Sequence, residues 1–407
     1  MQQIYGQLQE NFKKIFGAHD HPRYFFAPGR VNLIGEHTDY NGGNVFPCAL
    51  DIGTYALALP RKDEVIRCYS ENFPATGIID FTLDSLIKED RHDWANYPKG
   101  VLRVMADKGH RLSNGLDILF YGTIPNGAGL SSSASIEVLM ATVVRHYGNF
   151  ADLPGEELAL LCQKAENQFI GVKCGIMDQF VIAMGKTDHA ILLDCNTLSY
   201  QYAPLKLGEH LIVIANTNKK RGLAESRYNE RRAECDHALS QLQTRVPVKS
   251  LCELDVAQLE KVRDVVTSPV EYKRVFHAVS ENQRTLAAFK ALQINDLTTF
   301  GELMNQSHIS LRDYYEVTGK ELDSLAAAAW NHTGCTGSRM TGAGFGGCTV
   351  SLVNKNQVDD FIRCVGADYR HSTGLEADFY VVKAGNGAGE INQELSHETP
   401  GISSKSL

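Results

Sequence analysis

The ten cysteines of this chain include no C-x-x-C pair, which removes the spacing of a structural zinc site and of a thioredoxin-type motif. They read as free thiols. No stretch approaches the roughly 18 consecutive apolar residues that span a bilayer, and residues 1–16 are polar, without the apolar run of a secretion signal. A cytoplasmic protein with no membrane partner is expected. Positive charge is in deficit: 40 Lys and Arg against 48 Asp and Glu give a formal net charge of −8. Nothing here seeks a polyanion, so no nucleic-acid partner is expected. The basic run Lys219-Lys220-Arg221, with Arg227, Arg231 and Arg232, is local and reads as a solvated helix face close enough to a site to attract a nucleotide.

The common nucleotide motifs are missing too. Gly185-Lys186-Thr187 looks like the end of a Walker loop, but Phe180 stands where that loop needs its first glycine. The catalytic-loop and D-F-G motifs of protein kinases are absent. Gly342, Gly344 and Gly347 satisfy G-x-G-x-x-G by letters, yet they lead into the strand-like run 349–353 rather than opening a helix. A dinucleotide fingerprint requires the helix, so the Rossmann reading fails.

What is present is polar chemistry in unusual places. Residues 27–43 read APGRVNLIGEHTDYNGG, with Arg30, Glu36, His37, Thr38 and Asp39 framed by glycines. A guanidinium offers a planar fork of donors, and clustered acids beside an imidazole suit the hydroxyls of a polyol. Further on, Pro125-Asn126-Gly127-Ala128-Gly129-Leu130-Ser131-Ser132-Ser133-Ala134-Ser135 precedes the apolar run 136–144. Glycines followed by serines at a helix start leave backbone N–H groups and the positive end of the dipole facing outward, which makes a phosphate cradle. A third feature is Asp178, an acid in the apolar setting of Ile176, Met177, Phe180, Val181 and Ile182. Burying it is costly unless it is paired, so a partner is expected.

Taken singly, these runs are also what a solvated turn, a serine-capped helix and a first-turn acid look like. Together they resemble, in order and spacing, the galactokinases, members of the GHMP small-molecule kinases, and the resemblance extends from about residue 12 to 383. Within it the run 27–43 is the sugar-binding signature, Gly127 to Ser133 (Gly127, Ala128, Gly129, Leu130, Ser131, Ser132, Ser133) hold the phosphates of ATP, and 337–350 is a loop that folds back on the site. The resemblance implies Asp178 and Arg30 as the catalytic pair, with Glu36, His37, Thr38, Asp39, Gly175, Asp178 and Tyr228 around the sugar. Ser133 and Glu166 match the residues that hold Mg2+, which completes its shell with waters and phosphate oxygens. The implied reaction moves the γ-phosphoryl group of ATP to the C1 hydroxyl of D-galactose, the first phosphorylation in galactose breakdown. Galactose and ATP are the expected partners, with no obligate protein partner. Two positions depart from the family: Ala343 stands where many galactokinases have glycine, and Arg227 where an acid often precedes the tyrosine.

Rival readings stay within reach of the letters. A mevalonate or homoserine kinase would need cations for a carboxylate rather than the clustered acids of 36–39. An N-acetylgalactosamine kinase differs only in room near the sugar's C2, which letters do not show. A non-catalytic galactose sensor lacks part of the serine-alanine run, which is intact here from Ser131 to Ser135.

With 407 residues, 43% of them hydrophobic and 22% charged, the chain has the composition of a globular protein of two or three domains, and two fits best. Strand-like runs at 23–27, 44–50 and 52–59 are followed by a helical stretch near 94–108, strands at 115–122, 190–194 and 211–215, and a charged helix over 223–242. This is α+β ordering. The resemblance implies a two-domain GHMP kinase fold, with an N-terminal ribosomal-protein-S5-like domain over 1–200, a C-terminal ferredoxin-like domain over 201–385, and the active site between them. The polar stretch 386–407 has no periodicity and reads as a disordered tail.

Overall fold

The computed structural model describes residues 2–17, 21–125, 128–219 and 224–391. In chain order the strands are β1 (Arg23–Asn32), β2 (Asn44–Val45), β3 (Pro47–Pro60), β4 (Val65–Ser70), β5 (Ile79–Thr82), β6 (Leu116–Gly122), β7 (His189–Asp194), β8 (Tyr200–Pro204), β9 (His210–Asn216), β10 (Cys335–Thr341), β11 (Cys348–Asn354), β12 (Asp378–Val382) and β13 (Gly389–Glu390). The helices are α1 (Gln2–Phe16), α2 (Asn96–Asp107), α3 (Ser132–Tyr147), α4 (Gly155–Ala165), α5 (Met177–Met184), α6 (Ala224–Leu242), α7 (Val256–Lys261), α8 (Pro269–Gln293), α9 (Leu297–Ser310), α10 (Gly319–Trp330) and α11 (Val358–Thr373).

The first sheet has the order β13-β1-β3-β6-β4-β5. Its spine, β3, joins residues 47–50 of the first expected run to the second at 52–59, while Asn44–Val45 form the separate strand β2, which pairs with β7. Both faces of β3 are covered, so its sequence does not alternate. Tyr55 and Leu57 pack with Tyr5, Leu8 and Phe12 of α1, while Ala56 and Ala58 meet the core around Val138 and Ala141 of α3. Each fully buried leucine or phenylalanine of this kind contributes about 1.5–3 kcal/mol. Helix α3 is apolar nearly all round because it lies between the sheet and α2, α4 and α5.

The second sheet, β10-β11-β9-β12, is antiparallel throughout. Successive residues of β9 serve different cores, as a strand's period of two requires. Val213 and Ala215 pack under α10 and α11 with Leu325, Phe361 and Tyr369, whereas Ile212 and Ile214 join Val31, Leu33 and Phe46 from the N-terminal half. One core therefore runs through the seam between the two halves.

Strand β8 still pairs with β7, and the second sheet begins at His210. The chain then returns. Ala384 bridges Leu50, and Gly389 and Glu390 pair with Phe26 and Phe25 of β1. This corrects the expected tail over 386–391, which is held by backbone bonds from Gly387 N to Gly185 O, Ala388 N to Ile182 O and Ile391 N to Tyr24 O. Edge pairing of this kind uses main-chain groups and needs no hydrophobic period, so a polar stretch conceals it. Residues 392–407 of that tail lie outside the described residues. All ten cysteines are free thiols, as expected. Among the described residues, no helix is long and apolar enough to cross a membrane.

Candidate active site

The site grows from the end of β1. At Gly29 a Cβ would come within 2.9 Å of the Leu130 carbonyl, so only glycine lets the loop before α3 lie this close to the strand. The next residue, Arg30, receives that loop: its backbone N–H donates to Leu130 O at 3.2 Å, and its Nη1 donates to Gly129 O at 2.8 Å. The other side of the guanidinium forks onto Asp178 in the first turn of α5, with Nε to Oδ1 and Nη2 to Oδ2 both at 2.7 Å. The partner expected for the acid at 178 is therefore Arg30. Ser131, in the left-handed region at φ 63°, aims its hydroxyl at Asp178 Oδ2. One serine thus ties the glycine–serine loop to the acid. Ala128 and Leu130 are buried anchors of the loop, Ser132 is exposed at the helix start, and Gly127 lies outside the described residues.

Behind the loop lies a set of buried acids. Glu166 sits at the end of α4 where the helix widens into a π-turn, and Gln179 Nε2 donates to its Oε2 at 2.6 Å and to Glu137 Oε2 at 3.2 Å. Burial and then the negative charge of Asp178 raise the Glu166 pKa, partly offset by hydrogen bonds that include one from Ser133. Glu137, on α3, is raised well above the ordinary glutamate value by burial and by Glu166. Ser133 and Glu166 therefore converge, as a hydroxyl and a carboxylate at a helix N-terminus crowded with negative charge. That donor set fits a hard cation such as Mg2+.

The sugar-signature residues divide in two. Glu36 and Thr38 are engaged within the protein. The Glu36 carboxylate receives Asn32 Nδ2 on one oxygen and the Gly342 amide on the other, with Arg339 Nη1 at 3.7 Å. Thr38 shares its hydroxyl between Gly35 O at 2.9 Å and Asn44 O at 2.7 Å. Both side chains brace the loop, Glu36 against the third glycine motif. The Thr38 hydroxyl is thus taken up within its own loop, because a short loop must satisfy its own carbonyls first.

His37, Asp39, Gly175 and Tyr228 instead face one another. Burial, followed by the charge of Asp178, pushes the Asp39 pKa up to about 7. A Cβ on residue 175 would fall 1.7 Å from Asp39 Oδ2, so no other side chain fits there. The Tyr228 ring, on α6, lies 5.8 Å from His37 and 5.5 Å from Tyr40. Its phenol pKa is raised well above the ordinary value by burial and then by Asp39. A cavity of about 320 Å³ opens beside Asp39 and Gly175, with Asn167, Cys174 and Arg232 in its wall.

Residues 10–60 match the family described as the galactokinase galactose-binding signature, 96–186 the GHMP kinases N-terminal domain, and 288–371 the GHMP kinases C-terminal domain. The chain is 56% identical to a galactokinase of Fusobacterium nucleatum over 94% of its own length and 99% of that protein's. The chain belongs to the galactokinase family. A crystal structure of Lactococcus lactis galactokinase complexed with galactose superposes with a TM-score of 0.94 at 48% identity, covering 95% of this chain and all of that one (100%). A Methanococcus jannaschii mevalonate kinase, 18% identical, superposes with a TM-score of 0.66 over 91% of this chain and 100% of its own, a likeness of fold. The two-domain GHMP kinase fold expected of the sequence is thus the fold observed.

The basic residues around 220 are partly solvated, as expected, but most of those described also have partners within the protein. Lys219 pairs with Glu321 at 2.7 Å, Arg231 is buried and donates to Tyr315 O at 2.8 Å, and Arg232 donates to Lys173 O at 2.8 Å. Lys220 and Arg221 lie outside the described residues. Arg227 points to the ring of Phe345, 5.7 Å from its centroid, so the departure from the family pattern is spent on the third glycine loop. That loop does lead into a strand, β11, and Gly342, Gly344, Phe345, Gly346 and Gly347 all have positive φ. Letters did not reveal Asn32, whose backbone N–H also donates to Thr341 Oγ1 across the seam, nor the fully buried Arg339, nor Glu137 and Gln179. Glu137 carried a usable signal, a lone acid in an apolar helix, the same signal that singled out Asp178.

Proposed function

We propose that the protein is a galactokinase in activity as well as in family: it transfers the γ-phosphoryl group of ATP to the C1 hydroxyl of D-galactose, giving galactose 1-phosphate and ADP. One observation carries this, the Arg30–Asp178 fork fastened through Gly129 and Ser131 to the start of α3 and lying beside Asp39. It puts a carboxylate between a phosphate cradle and a polar pocket. Asp178 Oδ2 already accepts from Arg30 and Ser131, which leaves Oδ1, with one donor, as the oxygen free to take a proton. In the reaction that proton comes from the C1 hydroxyl as its oxygen bonds to the γ-phosphorus and the bond to the ADP oxygen breaks in line. Arg30 and the amides at the start of α3 face the charge that spreads over the phosphoryl oxygens.

Ser133 and Glu166 would hold Mg2+, which supplies charge neutralisation of the ATP phosphates. Asp39, Tyr228, His37 and the Gly175 backbone form the sugar side. We also assign the domains as 1–200 and 201–385 and place the protein in the cytoplasm, where its ten thiols stay reduced. ADP release measured with galactose, glucose, N-acetylgalactosamine, mevalonate and homoserine tests the reading. Galactose-dependent release is expected; sugar and ATP binding without release would mean a sensor, and release with another acceptor a different kinase.

A further inference from the structure

Tyr40 and Tyr315 are used by none of the chemistry above, yet they connect the sugar pocket to the interior. His37 Nδ1 lies 2.8 Å from Tyr40 Oη, Tyr40 Oη lies 2.8 Å from Tyr315 Oη, and Tyr315 Oη lies 3.2 Å from Cys235 Sγ. Tyr315 and Cys235 are fully buried and His37 nearly so. The His37 and Tyr315 rings also touch, with centroids 4.7 Å apart and planes tilted by 35°. The far nitrogen, His37 Nε2, is buried without a close hydrogen-bond partner, and the Ala343 backbone acts on the ring as a weak one that favours its protonated form. His37 holds this pose at φ 62°, a conformation a histidine rarely adopts.

Each phenol has one proton, so the chain of contacts has two possible polarities. In one, Tyr315 donates to Tyr40 and Tyr40 donates to His37 Nδ1, so the imidazole proton sits on Nε2. In the other, His37 Nδ1–H donates inward and the last phenol proton ends on the thiol sulfur. An imidazole nitrogen is a far better acceptor than a neutral thiol, which is weak in both roles. The first polarity therefore prevails. Burial, and then His277, push the His37 pKa down to about 3, so the ring stays neutral and the question of tautomer is real at working pH.

We propose that Tyr40 and Tyr315 are positioning residues that hold His37 in its Nε2–H tautomer, so that a buried donor held only weakly by the protein meets a hydroxyl oxygen of the bound sugar. This rests on the sugar-kinase reading. Steady-state kinetics and ¹⁵N spectra of the imidazoles, in full-length protein labelled at histidine, test it. His37 is assigned by its loss in His37→Gln. The spectrum of substrate-free wild type should show His37 protonated at Nε2, and Tyr315→Phe should mix the tautomers. The galactose KM of Tyr315→Phe should rise about tenfold, the order expected for a lost hydrogen bond to a buried group, with the ATP KM unchanged. Tyr40→Phe should do the same, and it decides the matter should Tyr315→Phe fold poorly. Wild-type His37 protonated at Nδ1, or a galactose KM within about twofold of wild type in both variants, overturns the proposal. Absence of any galactose turnover in wild type would refute the sugar-kinase reading instead, and the tautomer, read without substrate, would then decide the positioning role by itself.

Discussion

Asp178 and Tyr228 bear the residue-scale consequences of the site. If Asp178 accepts the hydroxyl proton, Asp178→Asn keeps the fork from Arg30 on one oxygen but loses the base, and kcat should fall by about 10²–10⁴ with ATP affinity little changed. Turnover within a few-fold of wild type would give Asp178 a purely structural role. Tyr228 faces Asp39, and a pocket built for one hydroxyl direction leaves its polar groups unpaired when the C4 epimer binds, at about 1–3 kcal/mol for each group. Tyr228→Phe should therefore lower kcat/KM for galactose more than for glucose, narrowing their ratio; equal losses on both sugars would make it a packing residue. Arg30, Asp39 and Asp178 stood out in the sequence because each is polar where an apolar side chain would pack better, whereas Gly175 and Tyr228 were singled out only through the resemblance to galactokinases. The internal partners of Glu36 and Thr38 were not legible, since spacing along the chain brings a side chain to a site without saying which atom is already spoken for.

At the scale of elements, β1 and the phosphate loop act as one unit through Gly29. A Cβ there meets backbone, Leu130 O at 2.9 Å, and the Ile124 side chain at 3.1 Å, so the loop rather than a rotamer must move. Gly29→Ala should raise the ATP KM several-fold while the galactose KM holds, with a stability loss of about 1–3 kcal/mol by denaturant unfolding. A rise in the galactose KM alone would show that the loop does not carry the nucleotide. The π-turn after α4 makes a separate prediction. It presents Glu166 to Ser133, and Glu166→Ala should increase the Mg2+ concentration for half-maximal rate, with excess Mg2+ restoring part of the activity. Unchanged Mg2+ dependence would leave Glu166 as a structural acid. Elements were readable in sequence where an apolar period or a glycine–serine start marked them, as in α3 and β9. The pairing of β13 with β1 was not, because main-chain bonds at a sheet edge leave no trace in side-chain pattern.

The whole molecule buries several acids, Glu36 and Asp39 beside the seam between its halves and Glu137 and Glu166 among α3, α4 and α5, and this should govern how stability responds to pH. Asp39 has a folded pKa of about 7 against an unfolded value of 3.8, and Glu36, Glu137 and Glu166 are raised as well, each chiefly by burial. A group with a raised folded pKa stabilises fully below its unfolded pKa, and that contribution is lost as pH climbs through the folded pKa. Buried histidines work the other way. His37, at about 3, and His277, at about 4, stay neutral when folded, so they penalise the folded state only as pH falls below the unfolded value of 6.5. Above 6.5 they are silent, and the acids act alone. Substrate-free protein without divalent cation should therefore lose stability from pH 6.5 to 8, by at most about 1.4 kcal/mol per pH unit for each acid in transition. Below 6.5 the histidines oppose that trend. The urea midpoint across pH 6.5–8 is the measurement, and Asp39→Asn, which cannot ionise, should flatten the decline. A wild-type midpoint that is level or rises over that range would mean these acids are already ionised and solvated in the folded protein.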